Sequence, residues 1–339
     1  MVVPEGIDDP TRPSGGNTFD RRVCRGLAAA GWAVHVHEVA GSWPRPDAAS
    51  YAALRDAISQ IHDGAVVLLD GLVASASPEV LAPEARRLRL VVLVHMPLGH
   101  EREGAVLAAA RSVITTSAWA RRVLLQRYSL PGDRVHVAEP GADAAELAPG
   151  TPTADALLSV AAVIHGKGHD VLLDALAMLT GLRWHCLCVG SLERDPAFAE
   201  GLRRRVLDGA MDGRVRFSGP QTGDDLARSY GAADVLVLPS RGETYGMVVT
   251  EALARGLPVI AADVGGVPEA MGHGADGALP GLLVPPDDPP ALRDAVRAWL
   301  EDADLRRRLR RAAHERRDSL ARWSTTTSAV AEVLAGAAR

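Results

Sequence analysis

Residues 236–271, LVLPSRGETYGMVVTEALARGLPVIAADVGGVPEAM, decide the fold of this chain. The apolar run at 235–238 ends at Pro239, and a polar turn follows at 240–244. A helical pattern then covers 245–256, and a second apolar run at 258–262 ends at a pair of glycines. A strand, a ligand-sized loop, a helix and a second strand in this order predict one βαβ unit with parallel strands.

Two carboxylates of this unit, Glu243 and Glu251, stand eight residues apart. On an ideal helix that separation is roughly 12 Å of rise, whereas the acid/base pairs of glycosidases lie about 5–10 Å apart. The spacing therefore favours two residues that hold the ends of an elongated ligand. The helix start between them, 245–247, would offer N–H groups and the positive end of a dipole to an anion. A helix with one solvated Glu at each end is the alternative, but Glu251 has apolar neighbours and a carboxylate there usually needs a partner.

Composition limits the class of protein. A chain of 339 residues with 47% hydrophobic residues suggests two domains with substantial cores. The net charge of −5 argues against a general nucleic-acid binder. Three cysteines, Cys24, Cys186 and Cys188, do not suit a disulfide framework and indicate a reduced, cytoplasmic compartment. Neither a signal peptide nor an apolar run of membrane-spanning length is visible.

Lys167 is the only lysine in the chain, and arginine supplies the other 36 basic side chains, from a Lys plus Arg total of 37. It lies in the loop 164–168, between a predicted strand at 156–163 and a predicted helix at 169–179. The ammonium group of Lys is a compact charge, which suits a phosphate pocket, whereas Arg offers a planar fork. The sequence therefore indicates Lys167 as a candidate phosphate ligand.

Two features of the first half also suggest ligand contact. The loop at 14–17, which contains Gly15 and Gly16, is predicted to precede a helix at 18–30 and would form a phosphate cradle; a simple tight turn is the alternative. His95 ends the predicted parallel strand 90–94, where α/β proteins bind ligands. A strand-end histidine satisfied by the backbone is the alternative there.

Strands and helices alternate along nearly the whole chain, which predicts an α/β fold with two doubly wound parallel sheets. An Ala/Pro/Gly-rich linker at 144–152 places the boundary between the domains. We expect an N-terminal Rossmann-like domain at 1–148, a C-terminal Rossmann-like domain at 149–320, and a separate helix within 321–339.

The E-x7-E pair resembles the signature of retaining GT-B-fold glycosyltransferases of family 4. The resemblance includes the loop before the helix, the GLPV strand and GGVPE turn after it, the GG(x)N element at 15–17, and Lys167-Gly168. It extends over roughly residues 10–320 and implies two Rossmann-like domains with an interdomain cleft. The resemblance further implies that 1–148 is the acceptor-side domain, that 149–320 binds the nucleotide sugar, and that the helix at 321–339 packs back towards the first domain. One departure stands out, because the Gly-Arg pair that grips the diphosphate in this family falls on Ala161-Ala162. We therefore state as a hypothesis that Arg241 supplies the missing charge.

The resemblance also implies a function. It points to a hexosyltransferase-type enzyme that moves a sugar from a nucleoside-diphosphate (NDP) sugar to an unidentified acceptor, with retention, without a metal ion and without a further cofactor. The implied catalytic residues are His95, Lys167 and Glu243. The implied donor-binding residues are Gly15, Gly16, Lys167, Arg241, Glu243, Thr244, Tyr245, Gly246, Met247 and Glu251, of which Glu251 would hold the ribose and Glu243 the sugar.

Other functions stay open at this point. An NDP-sugar epimerase or phosphorylase on a similar scaffold would use the same donor site. A non-catalytic sugar-nucleotide-binding protein is suggested by Ala162. No nucleic-acid partner is expected. The Arg-dense pattern at 304–317 is the one feature that would suit an anionic membrane surface, and a solvated helix face is the favoured interpretation.

Overall fold

The computed structural model describes residues 1–9, 13–209 and 211–339. These residues form two compact units. The N-terminal unit contains Met1–Asp9, Ser14–Gly141 and Ala321–Arg339, and the C-terminal unit contains Ala142–Leu320. The division at residues 148 and 320, with its acceptor and donor roles, stays a prediction.

The N-terminal unit is built on a six-stranded parallel sheet with the order β2-β1-β3-β4-β5-β6. Its strands are β1 (Val2–Pro4), β2 (His37–Val39), β3 (Val66–Asp70), β4 (Arg89–Val94), β5 (Ser112–Thr115) and β6 (Val135–Val137). Its helices up to residue 141 are α1 (Gly15–Ala29), α2 (Ala48–Ser59), α3 (Gly71–Ser75), α4 (Pro78–Glu84), α5 (Glu101–Ala109) and α6 (Ala118–Tyr128).

The C-terminal unit repeats the architecture with the strand order β12-β11-β10-β7-β8-β9, again all parallel. The strands are β7 (Ala156–Val160), β8 (His185–Val189), β9 (Val215–Gly219), β10 (Val235–Leu238), β11 (Val259–Ala262) and β12 (Gly281–Val284). The helices are α7 (His169–Ala177), α8 (Pro196–Asp208), α9 (Gly223–Gly231), α10 (Met247–Leu253), α11 (Val267–Met271), α12 (Pro289–Glu301) and α13 (Ala303–Asp318). The predicted class, α/β with two parallel sheets, is confirmed.

The last helix, α14 (Trp323–Ala338), lies in the N-terminal unit and packs against α1. Its Val330 and Leu334 are buried in one cluster with Phe19 of α1. A Cβ atom on Gly26 would stand 2.2 Å from Oγ1 of Thr327. The glycine therefore allows the two helices to approach closely.

The strand order places the ligand-binding edge of each sheet. In the C-terminal unit β7 and β10 are neighbours, while the chain leaves β7 towards β8 and leaves β10 towards β11. In the N-terminal unit β1 and β3 are related in the same way. Ligands of open α/β sheets bind outside the carboxyl ends of strands at such switch points. The loops after β7 and β10 are therefore brought together by topology.

Several predicted bounds differ from the structure. The strand expected over 32–39 is only His37–Val39, because β1 offers three residues for pairing, Val2↔His37, Val3↔Glu38 and Pro4↔Val39. Helix α5 was missed by the sequence pattern, since Gly104 interrupts it and glycine disfavours a helix interior. That glycine makes room for Tyr128, whose ring a Cβ atom would approach to 2.7 Å.

The arginines of α13 hold the C-terminal unit together. Arg306 donates to the carbonyl of Trp299 at 2.7 Å, Arg310 pairs with the buried Asp234 at 3.0 Å, and Arg317 donates to the carbonyl of Ala254 at 2.8 Å. These contacts favour a structural role for the helix over a membrane-binding one. Among the described residues, no helix combines the length and the apolar character needed to cross a membrane.

Trp299 is a testable anchor of the C-terminal unit. Its side chain is fully buried, and its Nε1–H donates to the carbonyl of Ala154 at 2.9 Å. Because both a cavity and an unpaired carbonyl result, Trp299→Ala should lower the free energy of unfolding by about 3–5 kcal/mol, as measured by urea denaturation. Leu207→Ala is the control, since Leu207 is 64% exposed. An equal loss in both variants would contradict the assignment.

Candidate functional site

The loops that follow β7 and β10 contact each other directly. The amide of Arg241 donates to the carbonyl of Gly166 at 3.0 Å. Gly168 has a φ of +69°, and a Cβ atom there would lie 2.0 Å from the carbonyl oxygen of Pro239. Only glycine fits this conformation and this contact. The loop that carries Lys167 is thus locked against the loop that carries Glu243.

Lys167 and Glu243 form an ion pair at this contact. The Nζ atom of Lys167 is 2.7 Å from Oε1 of Glu243, and the hydroxyl of Ser240 donates to the same oxygen at 2.8 Å. The side chains are 28% and 11% exposed respectively. The structure therefore brings together the only lysine of the sequence and the first carboxylate of the E-x7-E pair, which are 76 residues apart along the chain.

Arg241 is bound by two carboxylates. Its Nη1 and Nη2 donate to Asp170 at 2.9 and 2.8 Å, and its Nε pairs with Asp287 at 2.6 Å. A third contact goes to the carbonyl of His165. The hypothesis that Arg241 replaces the charge lost at Ala162 stays a prediction, but its guanidinium is already neutralised. What the geometry shows is that Arg241 ties the loop 165–168 to the end of β10.

Glu251 lies on α10 and has the partner that its apolar neighbours led us to expect. The hydroxyl of Tyr230 donates to Oε2 of Glu251 at 2.8 Å, and the guanidinium of Arg255 stacks over the Tyr230 ring at 4.5 Å. Burial raises the pKa of Glu251, while the Tyr230 hydrogen bond and the Arg255 charge oppose that rise. Sequence reasoning missed Tyr230, although its position near the end of α9, just before β10, was available as a signal.

The two glutamates do not share one helix, as the 12 Å estimate assumed. Helix α10 begins at Met247, after Gly246 with a φ of 94°, so Glu243 lies in the preceding loop. The predicted helix start at Tyr245 is therefore wrong. The side chain of Tyr245 is buried in the core beside Val249 and does not line the loop surface. The left-handed backbone at Gly246 ends the loop, and this explains the glycine there.

In the N-terminal unit, Gly15 and Gly16 form the first turn of α1, and the predicted pre-helix position of these glycines is wrong. The side chain of Ser14 accepts a hydrogen bond from the amide of Asn17 at 3.1 Å, as an N-cap residue does. A Cβ atom on Gly16 would be 3.3 Å from Cδ2 of His95. The glycine therefore lets the imidazole ring lie against the start of the helix.

His95 follows β4 and is bound by side chains. Its Nε2 is 2.8 Å from Oδ1 of Asp20 on α1 and 3.5 Å from Oδ2 of Asp70 at the end of β3. Burial lowers the pKa of His95, but the charges of Asp20 and Asp70 outweigh burial and raise it to about 8. Burial and the Asp20 charge raise the pKa of Asp70 to about 7.

Sequence reasoning named His95 but missed both carboxylates. Asp70 ends β3, and β3 pairs with β4 in parallel, so the strand alignment alone could have pointed to it. Within the described residues, Asp20, Asp70 and His95 are the one group whose potential ligand atoms lie within 4.8 Å of one another. The Asp20–His95 hydrogen bond uses Oδ1 of Asp20, whereas Oδ2 of Asp20 is buried with no partner among the described residues. The expectation that the site uses no metal stays a prediction.

The fold and the switch-point loops define a class of protein. Sucrose-phosphate synthase from Thermosynechococcus elongatus superimposes with a TM-score of 0.79 over 99% of this chain and 98% of that chain, at 22% identity. Anabaena HepE in complex with UDP-glucose superimposes with a TM-score of 0.76 over 99% and 98%, at 17% identity. The fold is the two-domain α/β GT-B fold.

The family follows from the C-terminal unit. Residues 150–316 match the family Glycosyl transferases group 1. The D-inositol 3-phosphate glycosyltransferase of Saccharomonospora viridis is 34% identical over 252 residues, 68% of this chain and 56% of the relative. That of Jonesia denitrificans is 34% identical over 206 residues, 55% of this chain and 48% of the relative. The chain spans about half the length of such relatives, and the segment that belongs to the family Glycosyl transferases group 1 is residues 150–316.

The contact at Gly168 gives a first prediction for the site. Gly168→Ala forces a side chain into the left-handed region and against the Pro239 carbonyl, so it should destabilise the C-terminal unit by more than about 1 kcal/mol. Gly166→Ala is the matched control, because a Cβ atom at Gly166 meets nothing within 4 Å. Thermal unfolding of both variants checks this, and equal melting temperatures would refute the proposed lock between the loops.

His169 gives a prediction for pH. It is 1% exposed, neither of its ring nitrogens has a hydrogen-bond partner among the described residues, and burial lowers its pKa to about 4 from 6.5. Between pH 6.5 and pH 4 the unfolded chain binds a proton that the folded chain does not, so stability falls as pH falls through this range. The contribution is roughly 3 kcal/mol.

His169→Leu should remove this part of the acid sensitivity, measured as the free energy of unfolding between pH 7 and pH 4. His62→Leu serves as the control, because His62 is exposed. If the His169 variant keeps the pH dependence of the parent chain, the buried neutral imidazole does not cause it.

Proposed function

We propose that this protein transfers a sugar from an NDP-sugar to an acceptor, with retention of the anomeric configuration and without a metal ion. The observation that carries the proposal is the Lys167–Glu243 pair at the β7/β10 switch point, with Glu251 on the helix that follows. A cation and two carboxylates in this arrangement suit a ligand with a phosphate centre and a hydroxyl-bearing group at each end.

Lys167 is the proposed ligand of the diphosphate. Negative charge develops on the leaving diphosphate during transfer, and a fixed cation stabilises it. An ammonium group has three donors, so Nζ can keep its hydrogen bond to Glu243 while it donates to phosphate oxygens. The amides of Gly246 and Met247 are proposed as additional donors.

The two glutamates are proposed to hold hydroxyl groups. Lys167 and Ser240 fix the orientation of Glu243, which is proposed to accept hydrogen bonds from the sugar. Tyr230 occupies Oε2 of Glu251, so the other oxygen is the proposed acceptor for the ribose hydroxyls. Carboxylates that are fixed before the ligand arrives lose less entropy on binding, which favours both affinity and correct orientation.

Names of related proteins suggest the first substrates to test. HepE of Anabaena has been crystallised with UDP, with glucose and with UDP-glucose, and several relatives are D-inositol 3-phosphate glycosyltransferases. We therefore propose UDP-glucose as the first donor and D-inositol 3-phosphate as the first acceptor in a panel.

A thermal-shift screen of UDP, GDP, ADP and TDP identifies the base, since a ligand that binds only the folded state raises the melting temperature. Transfer from the matching NDP-sugar is then followed by NMR of the anomeric proton, with EDTA present in a parallel sample. A product of inverted configuration, or a loss of activity in EDTA, would overturn the corresponding part of the proposal.

The structure also favours one alternative, a non-catalytic sugar-nucleotide-binding protein. Ala162 stands where the resemblance predicts Arg, and Arg241 is paired with Asp170 and Asp287. Only Lys167 then remains of the expected basic grip. Slow hydrolysis of the NDP-sugar without an acceptor identifies an enzyme, whereas binding with no turnover identifies a binding protein. Consumption of phosphate as co-substrate would indicate a phosphorylase.

Substitutions separate the proposed roles. Lys167→Met should lower kcat by about 10²–10³-fold, the loss typical of a group that stabilises transition-state charge. Glu251→Gln should mainly raise KM, because a ribose contact serves ground state and transition state alike. Steady-state kinetics with the donor varied check both. Arg308→Ala is the control for a lost surface charge, since Arg308 is exposed on α13. Equal effects of Lys167→Met and Arg308→Ala on kcat would exclude the proposed role of Lys167.

A further inference from the structure

Three side chains of the N-terminal unit form a buried cluster that the proposed roles above do not explain. Asp20 and Asp70 are 1% and 3% exposed, and the side chain of His95 is 13% exposed. Buried carboxylates are strongly unfavourable unless they are paired. Their positions on α1 and at the end of β3, on either side of His95, therefore need a physical reason.

The hydrogen bonds show how the two carboxylates divide their oxygens. Oδ1 of Asp70 caps α3 by accepting from the amide of Leu72 at 2.7 Å, while its Oδ2 faces His95. Oδ1 of Asp20 binds His95, and its Oδ2 is buried with no partner among the described residues. Neither carboxylate is compensated by a Lys or Arg side chain among these contacts. His95 is the group that can supply positive charge.

The geometry also orients the imidazole. Nε2 of His95 points at Asp20, so a proton on Nε2 is held by a carboxylate acceptor in either charge state of the ring. The edge of Phe19 meets the ring with centroids 5.3 Å apart and planes at 73°, and Gly16 leaves room for it. No described residue hydrogen-bonds to Nδ1, which is the remaining polar atom of the ring.

We infer that Asp20 and Asp70 are positioning residues that hold His95 as an imidazolium, with Nε2–H donated to Asp20 and Nδ1–H left to donate to a ligand oxygen. The charged groups that face His95 from the packed elements are Asp20 of α1 and Asp70 of β3, and both favour the charged ring. Cys24 lies close enough to Asp20 to be influenced by it but carries no charge while its pKa is raised by burial.

The inference deepens the proposed function and rests on it only for the identity of the ligand. A charged Nδ1–H donor is stronger than a neutral imidazole donor, and it suits an oxygen that carries or develops negative charge. As pH rises through about 8 the ring loses a proton. Because Asp20 holds the proton on Nε2, the neutral ring then presents a lone pair at Nδ1 and can no longer donate there.

The charge and the tautomer of the His95 ring can be measured without an assay of sugar transfer. Long-range ¹H–¹⁵N correlation spectra of the full chain, labelled with ¹⁵N-histidine, report both, and the His95 signal is identified by its loss in His95→Gln. We expect Asp20→Asn to lower the pKa of His95 by one unit or more and to allow both neutral tautomers. Asp70→Asn should lower the pKa of His95 less, since Asp70 is the more distant carboxylate. This variant should fold, because Asn caps a helix such as α3 as well as Asp does.

Asp56→Asn is the control, because Asp56 is exposed on α2 and binds Gln60; it should leave His95 unchanged. If Asp20→Asn fails to fold, Asp70→Asn decides the question alone. An unchanged His95 pKa in every folded cluster variant overturns the inference. Selective broadening of the His95 signals by stoichiometric Mn²⁺ also overturns it, because a cation would then occupy the place assigned to the proton.

Transfer assays add a second readout. With UDP-glucose as donor, kcat/KM of the parent chain should fall above pH 8, and in Asp20→Asn the fall should move to lower pH, with activity partly recovered near pH 6. If the parent chain shows no transfer, the proposed function fails while the NMR result still decides the inference. A pH profile that is identical in the parent chain and in Asp20→Asn contradicts the role of the imidazolium in transfer.

Discussion

The contact between the loop after β7 and the loop after β10 is the constraint on which the candidate donor site depends. Parallel pairing of β7 with β10 brings the loops to one edge of the sheet, but pairing alone does not fix their separation. The missing side chain at Gly168, against the Pro239 carbonyl, sets that separation. Arg241 then ties the two loops through Asp170 and the Gly166 carbonyl. With the loops held in this way, Nζ of Lys167 lies 2.7 Å from Oε1 of Glu243.

The same constraint explains how the site distributes charge. Arg241 and Lys167 stand in or beside these loops. Arg241 is neutralised by Asp170 and Asp287. Lys167 faces the single carboxylate of Glu243, which also accepts a hydrogen bond from Ser240. A planar guanidinium suits bidentate pairing with a carboxylate, and an ammonium group suits a pocket in which partners change. Arg241 therefore has a structural role in the loop contact, and the phosphate-binding role that we propose for Lys167 would give a reason for the single lysine in the sequence.

Much of the fold could be predicted from the sequence, because strand and helix patterns alternate and each parallel strand is a short apolar run. The predictions that failed were local. The helix start at Tyr245 and the loop position of Gly15 and Gly16 depend on which residue caps the helix, and a one-turn shift leaves the hydrophobic pattern almost unchanged. The strand at 32–39 was cut short by its partner β1, which no pattern within 32–39 reveals.

The candidate site could be predicted only in part, for a related reason. Lys167, Glu243, Glu251 and His95 were found because each lies in a recognisable local setting. Their partners, Tyr230 for Glu251 and Asp20 for His95, come from other elements, 21 and 75 residues away along the chain. Such contacts depend on how helices α9 and α1 are rotated against the sheets, and that rotation is set by core packing, as in the burial of Phe19 beside Val330.

The two units solve the same electrostatic problem in different ways. In the C-terminal unit a partly buried carboxylate, Glu251, is satisfied by a neutral hydroxyl with an arginine stacked behind it, so its negative charge stays available to a ligand. In the N-terminal unit two buried carboxylates surround one imidazole, so the group left for a ligand is a positive N–H donor. A hydroxyl partner preserves the charge of a carboxylate, whereas an ionisable partner takes the opposite charge. Which charge each unit offers to a ligand therefore depends more on the partner residue than on the residue that the sequence pattern identifies.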